Sequence, residues 1–210
     1  MPRETAARVL SVNVGHVREV EWHGRRITSA IWKSPVLGRI ALRGVNFIGD
    51  DQADRTVHGG RDKAVYAYAR EDYDYWREAE GVDTSPGLFG ENLTTEGVEL
   101  SDVVAGERWA VGSTVLEATQ PRLPCFKIGM CMDDAHFPKR FMIAGRMGAY
   151  FRIVQEGDVG ANDVVQVTHR PAHGITLRTM VEALRDDEKA TSLRVVESLP
   201  EFWQRVADGR

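Results

Sequence analysis

The chain has 210 residues, of which 42% are hydrophobic and 28% charged, as is ordinary for a globular protein. Its 27 basic and 31 acidic side chains give a formal charge of −4, which argues against a broad nucleic-acid surface but permits a local basic pocket. No stretch approaches the roughly 20 consecutive apolar residues of a membrane helix, and the N-terminus lacks the apolar core of a signal peptide. Two cysteines cannot form a disulfide framework in a chain of this size, so we predict a reduced, cytoplasmic protein.

The first two-thirds of the chain predicts mainly strands. The segment "RVLSVNVG" alternates, "AVYAYA" is a compact strand, and "GAYFRIVQEG" and "DVVQVTHR" supply the last strands of this region. Two hairpins are predicted, one turning at His23-Gly24 and one at Gly112-Ser113, where glycine supplies the positive φ that a tight turn requires. Many short strands without intervening amphipathic helices favour a closed or nearly closed barrel.

Helices are predicted once inside the strand-rich region and again after it. The segment "REDYDYWREAEG" indicates a helix that ends at Gly81. After "HRPAHG" the pattern predicts three short helices. The second carries Leu193, Val196 and Leu199, and a Ser198–Glu201 capping box opens the third.

These elements predict a mainly β fold with helical additions, namely a barrel domain over residues 1–170 and a three-helix segment over residues 171–210. The helical segment is too small to bury a robust core alone. We therefore expect it to dock on the barrel or on a partner subunit, which makes a homodimer plausible.

Cys125 is the first candidate for chemistry. Two prolines stiffen the chain before it, and Arg122 and Lys127 place positive charge beside it. Such neighbours favour the thiolate, which is the form that attacks electrophiles and binds metals. The competing interpretation is a buried structural thiol, because free cysteine is among the most buried residue types. Cys131, which lies between two methionines, is interpreted as packing.

A glycine loop, "DRTVHGGRDK", is the second candidate. His58 precedes Gly59 and Gly60, so an imidazole and backbone amides can converge on a ligand, and Lys63 adds a cationic donor. The alternative is a plain glycine turn with solvated charges. A Cys125–His58 nucleophile pair is a further, weaker alternative, because no oxyanion-hole signature accompanies it.

Two shorter segments complete the candidate set. In "GLFGENLTTEG", Asn92 offers a donor and an acceptor on one amide, as recognition of a pterin-like edge needs, although an Asx-type turn competes with that reading. In "WKSP", Lys33 and Ser34 combine one charge and one hydroxyl, which suits a phosphate. Neither a Walker loop nor a GxGxxG motif occurs.

Together these segments resemble the MOSC family, the domain also found at the C-terminus of molybdenum-cofactor sulfurases, and within it the YiiM-like branch. The resemblance runs from about Val9 to Val167. It rests on "WKSPVLGRIAL", "GDDQADRTVHGGRDKAVYAY", "LFGENLTTEG", "GERWAVGSTVLEATQPRLPCFK" and the late "GAYFRIV" strand.

The resemblance implies a β-barrel that binds molybdenum cofactor, a pterin dithiolene with a terminal phosphate. In relatives a cysteine at the place of Cys125 is a direct molybdenum ligand, which suits a soft thiolate. By the same resemblance His58 lies near the metal or the substrate. The residues expected to hold the cofactor are Lys33, Ser34, Arg43, Gly59, Gly60, Lys63, Asn92, Arg122 and Arg152.

The activity that this resemblance implies is reduction of N-hydroxylated bases, such as 6-N-hydroxylaminopurine, to the amine. Cys125 would anchor molybdenum and His58 would deliver a proton. The CxxxxCxxC pattern of an iron–sulfur module is absent, so electrons are expected from a separate flavoprotein reductase. The alternative is a non-enzymatic carrier of molybdenum cofactor or of sulfur, with a persulfide on Cys125.

Overall fold

The protein is described by a computed structural model that covers residues 6–51, 59–82 and 85–210. Strands dominate up to residue 169 and helices follow. The strands are β1 (Arg8–Val14), β2 (Arg18–Trp22), β3 (Arg25–Ser29), β4 (Ser34–Pro35), β5 (Arg39–Arg43), β6 (Asn46–Phe47), β7 (Val65–Ala69), β8 (Leu93–Glu96), β9 (Arg108–Val111), β10 (Thr114–Pro121), β11 (Ala149–Gln155), β12 (Gly157–Gly160) and β13 (Val165–His169).

Within the described ranges, the α-helices lie in three places along the chain. One connects β7 with β8, two lie between β10 and β11, and three follow β13. Single 3-10 turns occur at Arg61–Lys63, Leu100–Asp102 and Leu193–Val195. The helices are α1 (Arg70–Glu80), α2 (Phe126–Cys131), α3 (Phe137–Ala144), α4 (Leu177–Glu182), α5 (Asp187–Ser192) and α6 (Glu201–Ala207).

The main sheet has eight strands in the order β13-β9-β10-β11-β7-β8-β1-β4. Its pairs are antiparallel except for β7 and β8, which run parallel because α1 carries the chain back between them. The sheet curls: Val9 N donates to Asp163 O at 2.9 Å and Val165 N to Ala7 O at 2.8 Å, so β1 meets the segment that enters β13. Two smaller sheets, β12-β5-β6 and β2-β3, complete a mainly β fold, as predicted.

Both predicted hairpins are confirmed. His23 and Gly24 connect β2 to β3 with φ of 50° and 73°, the paired positive values that match the twist of a tight hairpin. Gly112 and Ser113 connect β9 to β10, with Val111 directly opposite Thr114. The helix predicted after "AVYAYA" is also confirmed, and Gly81 ends it with a φ of 67°.

Other predictions about helices were wrong. The strand-rich region contains two helices besides α1, namely α2 and α3, that the sequence did not predict. Each is under three turns long, which is too short to show a clear apolar period. The second helix of the tail is Asp187–Ser192, opened by the Asp186 carboxylate, which accepts from the backbone N–H groups of residues 188 and 189. The Ser198–Glu201 capping box does not form, since Pro200 precedes the last helix without a side-chain cap.

The hydrophobic core continues from the sheet into the helical tail. Trp109 and Phe151 of the sheet belong to the same buried cluster as Leu177, Met180 and Trp203 of the tail. A polar contact adds to this packing, because the Trp203 indole donates to Gln120 Oε1 of β10 at 3.0 Å. The tail therefore docks on the sheet and closes its core, while a domain boundary at residue 170 stays a prediction.

Candidate active-site cleft

A cleft opens beside the C-terminal end of β10 and encloses about 590 Å³ with its open mouth included. That volume includes open solvent, and the space inside it that a water-sized molecule can occupy is about 90 Å³. Five of the predicted residues line it: Lys33, Lys63, Asn92, Arg122 and Cys125. The residues that sequence reasoning did not assign to a cofactor include Asp50, Asp51, Tyr66, Lys127 and Tyr150.

Cys125 stands where β10 gives way to α2. It is the residue immediately before the helix, with extended backbone (φ −128°, ψ 172°), and its side chain is half-buried in the cleft wall. The strand β10 ends at Pro121, and Pro124, which has no backbone N–H, stiffens the short connection that leads to Cys125. Cys125 forms no disulfide. The junction therefore presents the thiol from two rigid elements.

Arg122 is a buried cation in the same wall. Its residue is 5% exposed, and its guanidinium lies 5.7 Å from the Tyr66 ring and 5.6 Å from the Phe141 ring, within the range of cation–π contacts. Among the described residues it forms no ion pair, and its Nη1 has no hydrogen-bond partner. A buried donor without a partner costs about 1–3 kcal/mol, so this guanidinium is available to bind an anion in the cleft.

Lys33 and Asp50 form a buried ion pair in the cleft. Their side chains are 8% and 1% exposed, and Lys33 Nζ donates to both carboxylate oxygens, at 2.6 Å to Oδ2. The Asp50 carboxylate also accepts from Gly15 N at 2.7 Å and from Asn92 Nδ2 at 2.8 Å. Burial lowers the pKa of Lys33, and the charge of Asp50 offsets that effect in part.

Asn92 positions its neighbours with both ends of its amide. Nδ2 contacts Asp50 and the main-chain oxygen of Asn13, at 3.3 Å, while Oδ1 accepts from Tyr66 N at 3.2 Å. The amide therefore joins β1, β7 and the Asp50 loop. Its predicted contact with a pterin edge stays a prediction, and a ligand would meet an amide that is already hydrogen-bonded.

Glu91 anchors the loop before Asn92. Its side chain is fully buried, and Oε1 accepts from Tyr73 Oη at 2.5 Å, Gly87 N at 2.6 Å and Thr94 Oγ1 at 2.8 Å. Burial raises the pKa of Glu91, while these three donors work in the opposite direction. The network fixes the glycine loop against α1 and so holds one wall of the cleft.

The cleft has an excess of positive charge. Its lining includes four cationic side chains, Lys33, Lys63, Lys127 and Arg122, and two acidic ones, Asp50 and Asp51. Tyr66 and Tyr150 supply aromatic walls. This combination suits a planar ligand that carries negative charge.

Several predicted residues lie elsewhere. Ser34 is exposed in β4 opposite Val14 of β1 and does not line the cleft. Arg43 lies on the β5–β12 sheet and donates to Gly157 O at 2.8 Å, and Arg152 lines a different cleft. These arginines were assigned to the cofactor by resemblance alone, and a resemblance does not show on which face of a strand a side chain lies.

Of the glycine loop, Gly59 and Gly60 lie directly before the Arg61–Lys63 turn, and Gly60 has a φ of 93°, a conformation that favours glycine. His58 lies outside the described residues, so its role stays a prediction. Lys63, which ends the turn, faces the cleft.

Sequence reasoning missed Asp50, Tyr66 and Tyr150. Asp50 stands in "GDDQADRTVHGG", where four acidic or amide residues gave no reason to prefer one. Tyr66 and Tyr150 are adjacent across β7 and β11, which pairing of the two strands would have shown. Cys131 is half-buried, and burial raises the pKa of its thiol to about 12, which keeps the thiol protonated; its assignment to packing stays a prediction.

The described residues contain neither a cluster of metal-binding side chains nor a helix that could span a membrane. No group of three or more His, Cys, Asp and Glu side chains is arranged to hold a metal ion within residues 6–51, 59–82 and 85–210. Over the same ranges, the longest apolar helices are too short to cross a bilayer.

The fold and the cleft define a mainly β protein whose cationic cleft combines a thiol, a buried guanidinium and aromatic walls. Residues 54–166 match the model of the MOSC domain, more than half of the chain. The chain therefore belongs to the MOSC family, and its relatives place it in the YiiM-like branch.

Named relatives support this placement. The chain is 35% identical to the uncharacterized protein YflK of Bacillus subtilis, over 81% of this chain and 77% of that protein. It is 30% identical to protein YiiM of Escherichia coli, over 87% and 84%. A Gibberella moniliformis protein named "Reductase" is 30% identical over 78% of this chain, which spans only 29% of that longer protein.

Solved structures agree with the fold. The crystal structure of YiiM from Geobacillus stearothermophilus has a TM-score of 0.79 at 26% identity, covering 97% of this chain and 98% of that one. YiiM from Escherichia coli has a TM-score of 0.71 at 22% identity, covering 98% and 93%, and supports the fold alone.

Proposed function

We propose that this protein binds molybdenum cofactor in the Cys125 cleft and reduces N-hydroxylated compounds to amines, with electrons from a separate flavoprotein reductase. The observation that carries the proposal is Arg122: a buried guanidinium with an unpartnered Nη1 lines the same cleft as a half-buried thiol. An anionic ligand with an affinity for sulfur satisfies both groups at once.

The donor set fits the cofactor's chemistry. Its phosphate and dithiolene carry negative charge, which Lys63, Lys127 and Arg122 would balance. Its planar pterin suits the tyrosine walls at Tyr66 and Tyr150. Cys125 is the soft ligand that molybdenum would take from the protein.

When bound, the cofactor supplies the two-electron redox chemistry that cleaves an N–O bond. The overall reaction converts a hydroxylamine, two electrons and two protons into an amine and water, so protons must reach the cleft. Lys33 Nζ holds a proton there, and its lowered pKa makes that proton easier to release. Asp50 keeps the ammonium in place, and Asn92 keeps Asp50 in place.

The remaining residues shape the environment of the reaction. Tyr66 and Phe89 wall one side of the cleft and Tyr150 another, which limits access of water. Within that low-dielectric wall the charge of Arg122 acts more strongly than it would in water. Support for reduction also comes from the relative named "Reductase", although this chain spans less than a third of it.

The proposal is tested with protein purified from a host that makes molybdenum cofactor. With 6-N-hydroxylaminopurine as substrate and a chemical reductant in place of the reductase, the wild type should form the amine. Cys125→Ala should lose that activity and Cys131→Ala should keep it, since Cys131 does not line the cleft and its raised pKa keeps the thiol protonated.

Equal activity in protein from a cofactor-deficient host would contradict the proposal. A persulfide on Cys125 detected by intact-protein mass spectrometry, together with no reduction of the substrate, would instead indicate a sulfur carrier.

A further inference from the structure

A second cleft lies where the helical tail meets the sheet, and nothing in the proposed reaction uses it. It encloses about 1130 Å³ with its mouth included, between β9, β10, β11 and the chain that enters and leaves the tail. Arg61 and Arg152 line it from the sheet side, and His169, His173 and Val195 line it from the other. The space inside it that a water-sized molecule can occupy is about 440 Å³, which is in the range of small-molecule sites.

Arg152 is built into the floor of this cleft. The residue is 7% exposed; its Nη2 donates to Ser198 O at 2.8 Å and lies 3.0 Å from Asp62 Oδ1, and its Nη1 lies 3.5 Å from Glu117 Oε1. Its Nε is buried and has no hydrogen-bond partner in the described part of the chain. These contacts hold the guanidinium in one orientation and leave one donor unsatisfied, which is costly unless a ligand supplies the acceptor.

Further donors line the cleft around Arg152. Arg61 is exposed and forms no ion pair within the described ranges. The His173 ring accepts the Ile175 N–H at Nδ1, at 3.0 Å, so its other nitrogen is the donor that remains for the cleft. His169 is exposed on the same side.

The cleft has two lining carboxylates, Glu117 and Glu197, and Glu117 is already engaged. Glu117 accepts from Arg108 at 2.8 Å and also lies beside Arg152, while Asp62, which is outside the lining, pairs with Arg152. Glu197 is the one lining carboxylate without an ion pair among the described residues. The balance of available groups therefore favours an anion over a cation.

An apolar wall completes the cleft. Val154 and Val195 are 46% and 55% exposed although they line a concave surface, and Pro171 lies nearby. Covering these side chains stabilises a complex by about 25 cal/mol for each Å² of apolar surface removed from water. A ligand with a hydrocarbon or aromatic body gains more here than an inorganic ion does.

We propose that this second cleft binds a small organic anion, with its oxyanion at Arg61 and Arg152 and its body against Val154 and Val195. The cleft is separate from the Cys125 cleft, but one turn serves both, because Arg61 lines the second cleft while Lys63 lines the first. The proposal stands independently of molybdenum, since neither Cys125 nor Arg122 contributes to this cleft.

The test measures binding to the purified full-length protein by NMR of side-chain Arg Nε–H and His ring signals. The probes are phenyl phosphate, benzoate and inorganic phosphate, so that a phosphate ester, a carboxylate and a bare oxyanion are compared. Phenyl phosphate or benzoate should shift the Arg152, His169 and His173 signals saturably, and should bind at least several-fold more tightly than inorganic phosphate.

Substitutions locate the site. Arg61→Gln should weaken binding about tenfold without loss of stability, because Arg61 is exposed and forms no ion pair with any residue that the structure describes. The matched control is Arg185→Gln, an exposed arginine of the tail outside the cleft, which should leave binding unchanged. Cys125→Ala should also leave it unchanged, which separates this result from failure of the proposed reductase activity.

Three outcomes would overturn the proposal: no saturable shift with any probe, equal weakening by Arg61→Gln and Arg185→Gln, or inorganic phosphate binding as tightly as phenyl phosphate. Self-association that hides the Arg61 and His169 signals would likewise show that a second copy of the chain, not a small anion, covers the cleft.

Discussion

At the scale of single residues, Asp50 organises much of the Cys125 cleft. Its carboxylate accepts from Lys33 Nζ, Asn92 Nδ2 and Gly15 N, so three separate segments converge on one buried anion. Removing one partner of a buried pair leaves the other charge without compensation, which costs more than the pair itself contributes.

We predict that Asp50→Asn lowers the free energy of unfolding by about 3–5 kcal/mol, because Lys33 stays buried without its counter-ion. The matched control is Asp102→Asn, which breaks an ion pair with Arg178 whose side chains are more than half exposed, and should cost about 0–1 kcal/mol. Urea unfolding measures both. Similar small losses in the two variants would contradict the buried pair.

Asp72 supplies a prediction about pH. Burial raises the pKa of its carboxyl from 3.8 to about 6, and the ion pair with Arg146 offsets this only in part. The native state thus binds the proton more tightly than the unfolded chain, so the contribution of this proton to stability is complete below pH 3.8 and is lost as the pH rises through about 6.

The loss amounts to about 2 kcal/mol between pH 4 and pH 7. Asp72→Asn should lack it, so the difference in unfolding free energy between the wild type and the variant should change by that amount over this range. A difference that does not depend on pH would show that the Asp72 carboxyl titrates near its ordinary pKa.

At the scale of elements, the close packing of β7 against the start of β11 helps to position one wall of the cleft. Gly148 precedes β11 with a φ of 65°, and a Cβ there would overlap the carbonyl oxygen of Ala67 in β7 and contact the rings of Tyr66 and Tyr68. Tyr66 lines the cleft, so this junction holds one of its walls.

Gly148→Ala should therefore destabilise the protein more than its φ alone explains. Gly174 is the control, since its φ is 67° but nothing lies within 4 Å of an added Cβ. We expect Gly174→Ala to cost about 1–2 kcal/mol for the left-handed conformation. Gly148→Ala should cost about 1–3 kcal/mol more for the overlap, as measured by thermal unfolding. Equal losses of stability in the two variants would mean that β7 and β11 can move apart to make room for the added Cβ at little cost.

The elements also show what the sequence could predict. Strong local signals were sufficient for the hairpins at His23-Gly24 and Gly112-Ser113 and for α1, because turn glycines and a clear apolar face act within a few residues. The short helices α2 and α3 and the position of α5 depend on tertiary packing, which local patterns do not contain.

The same contrast holds for the site. Cys125 and Arg122 are close in sequence, so proline stiffening and charge pointed to them directly. Asp50, by contrast, is held in the cleft by a hydrogen bond from Asn92, which is 42 positions away in the sequence, and no local pattern indicates such a contact. The face of β11 that carries Arg152 depends on strand register, including the irregular pairing with β10 between Ala118 and Gln120.

At the scale of the whole molecule, the helical tail and the sheet share one core. Trp203 is fully buried in the cluster that contains Trp109 and Phe151, and its indole donates to Gln120, two residues before Arg122. The tail thereby supports the end of β10 from which Arg122 and Cys125 project.

We predict that the sheet and tail unfold in a single transition and that Trp203→Ala lowers the free energy of unfolding by about 3–5 kcal/mol. Phe202→Ala, at a neighbouring position that is 42% exposed, should cost much less. Calorimetry and tryptophan fluorescence measure the effect. Two separate transitions, with Trp203→Ala affecting only one, would show that residues 171–210 fold as an independent unit.

The central claim is that Cys125 holds molybdenum in this cleft. Elemental analysis of protein purified from a host that makes the cofactor tests it most directly, without any assumption about substrate. We predict close to one molybdenum per chain in the wild type and in Cys131→Ala, and little or none in Cys125→Ala that is folded by circular dichroism. A wild type without molybdenum, or a Cys125→Ala variant that retains it fully, would contradict the account.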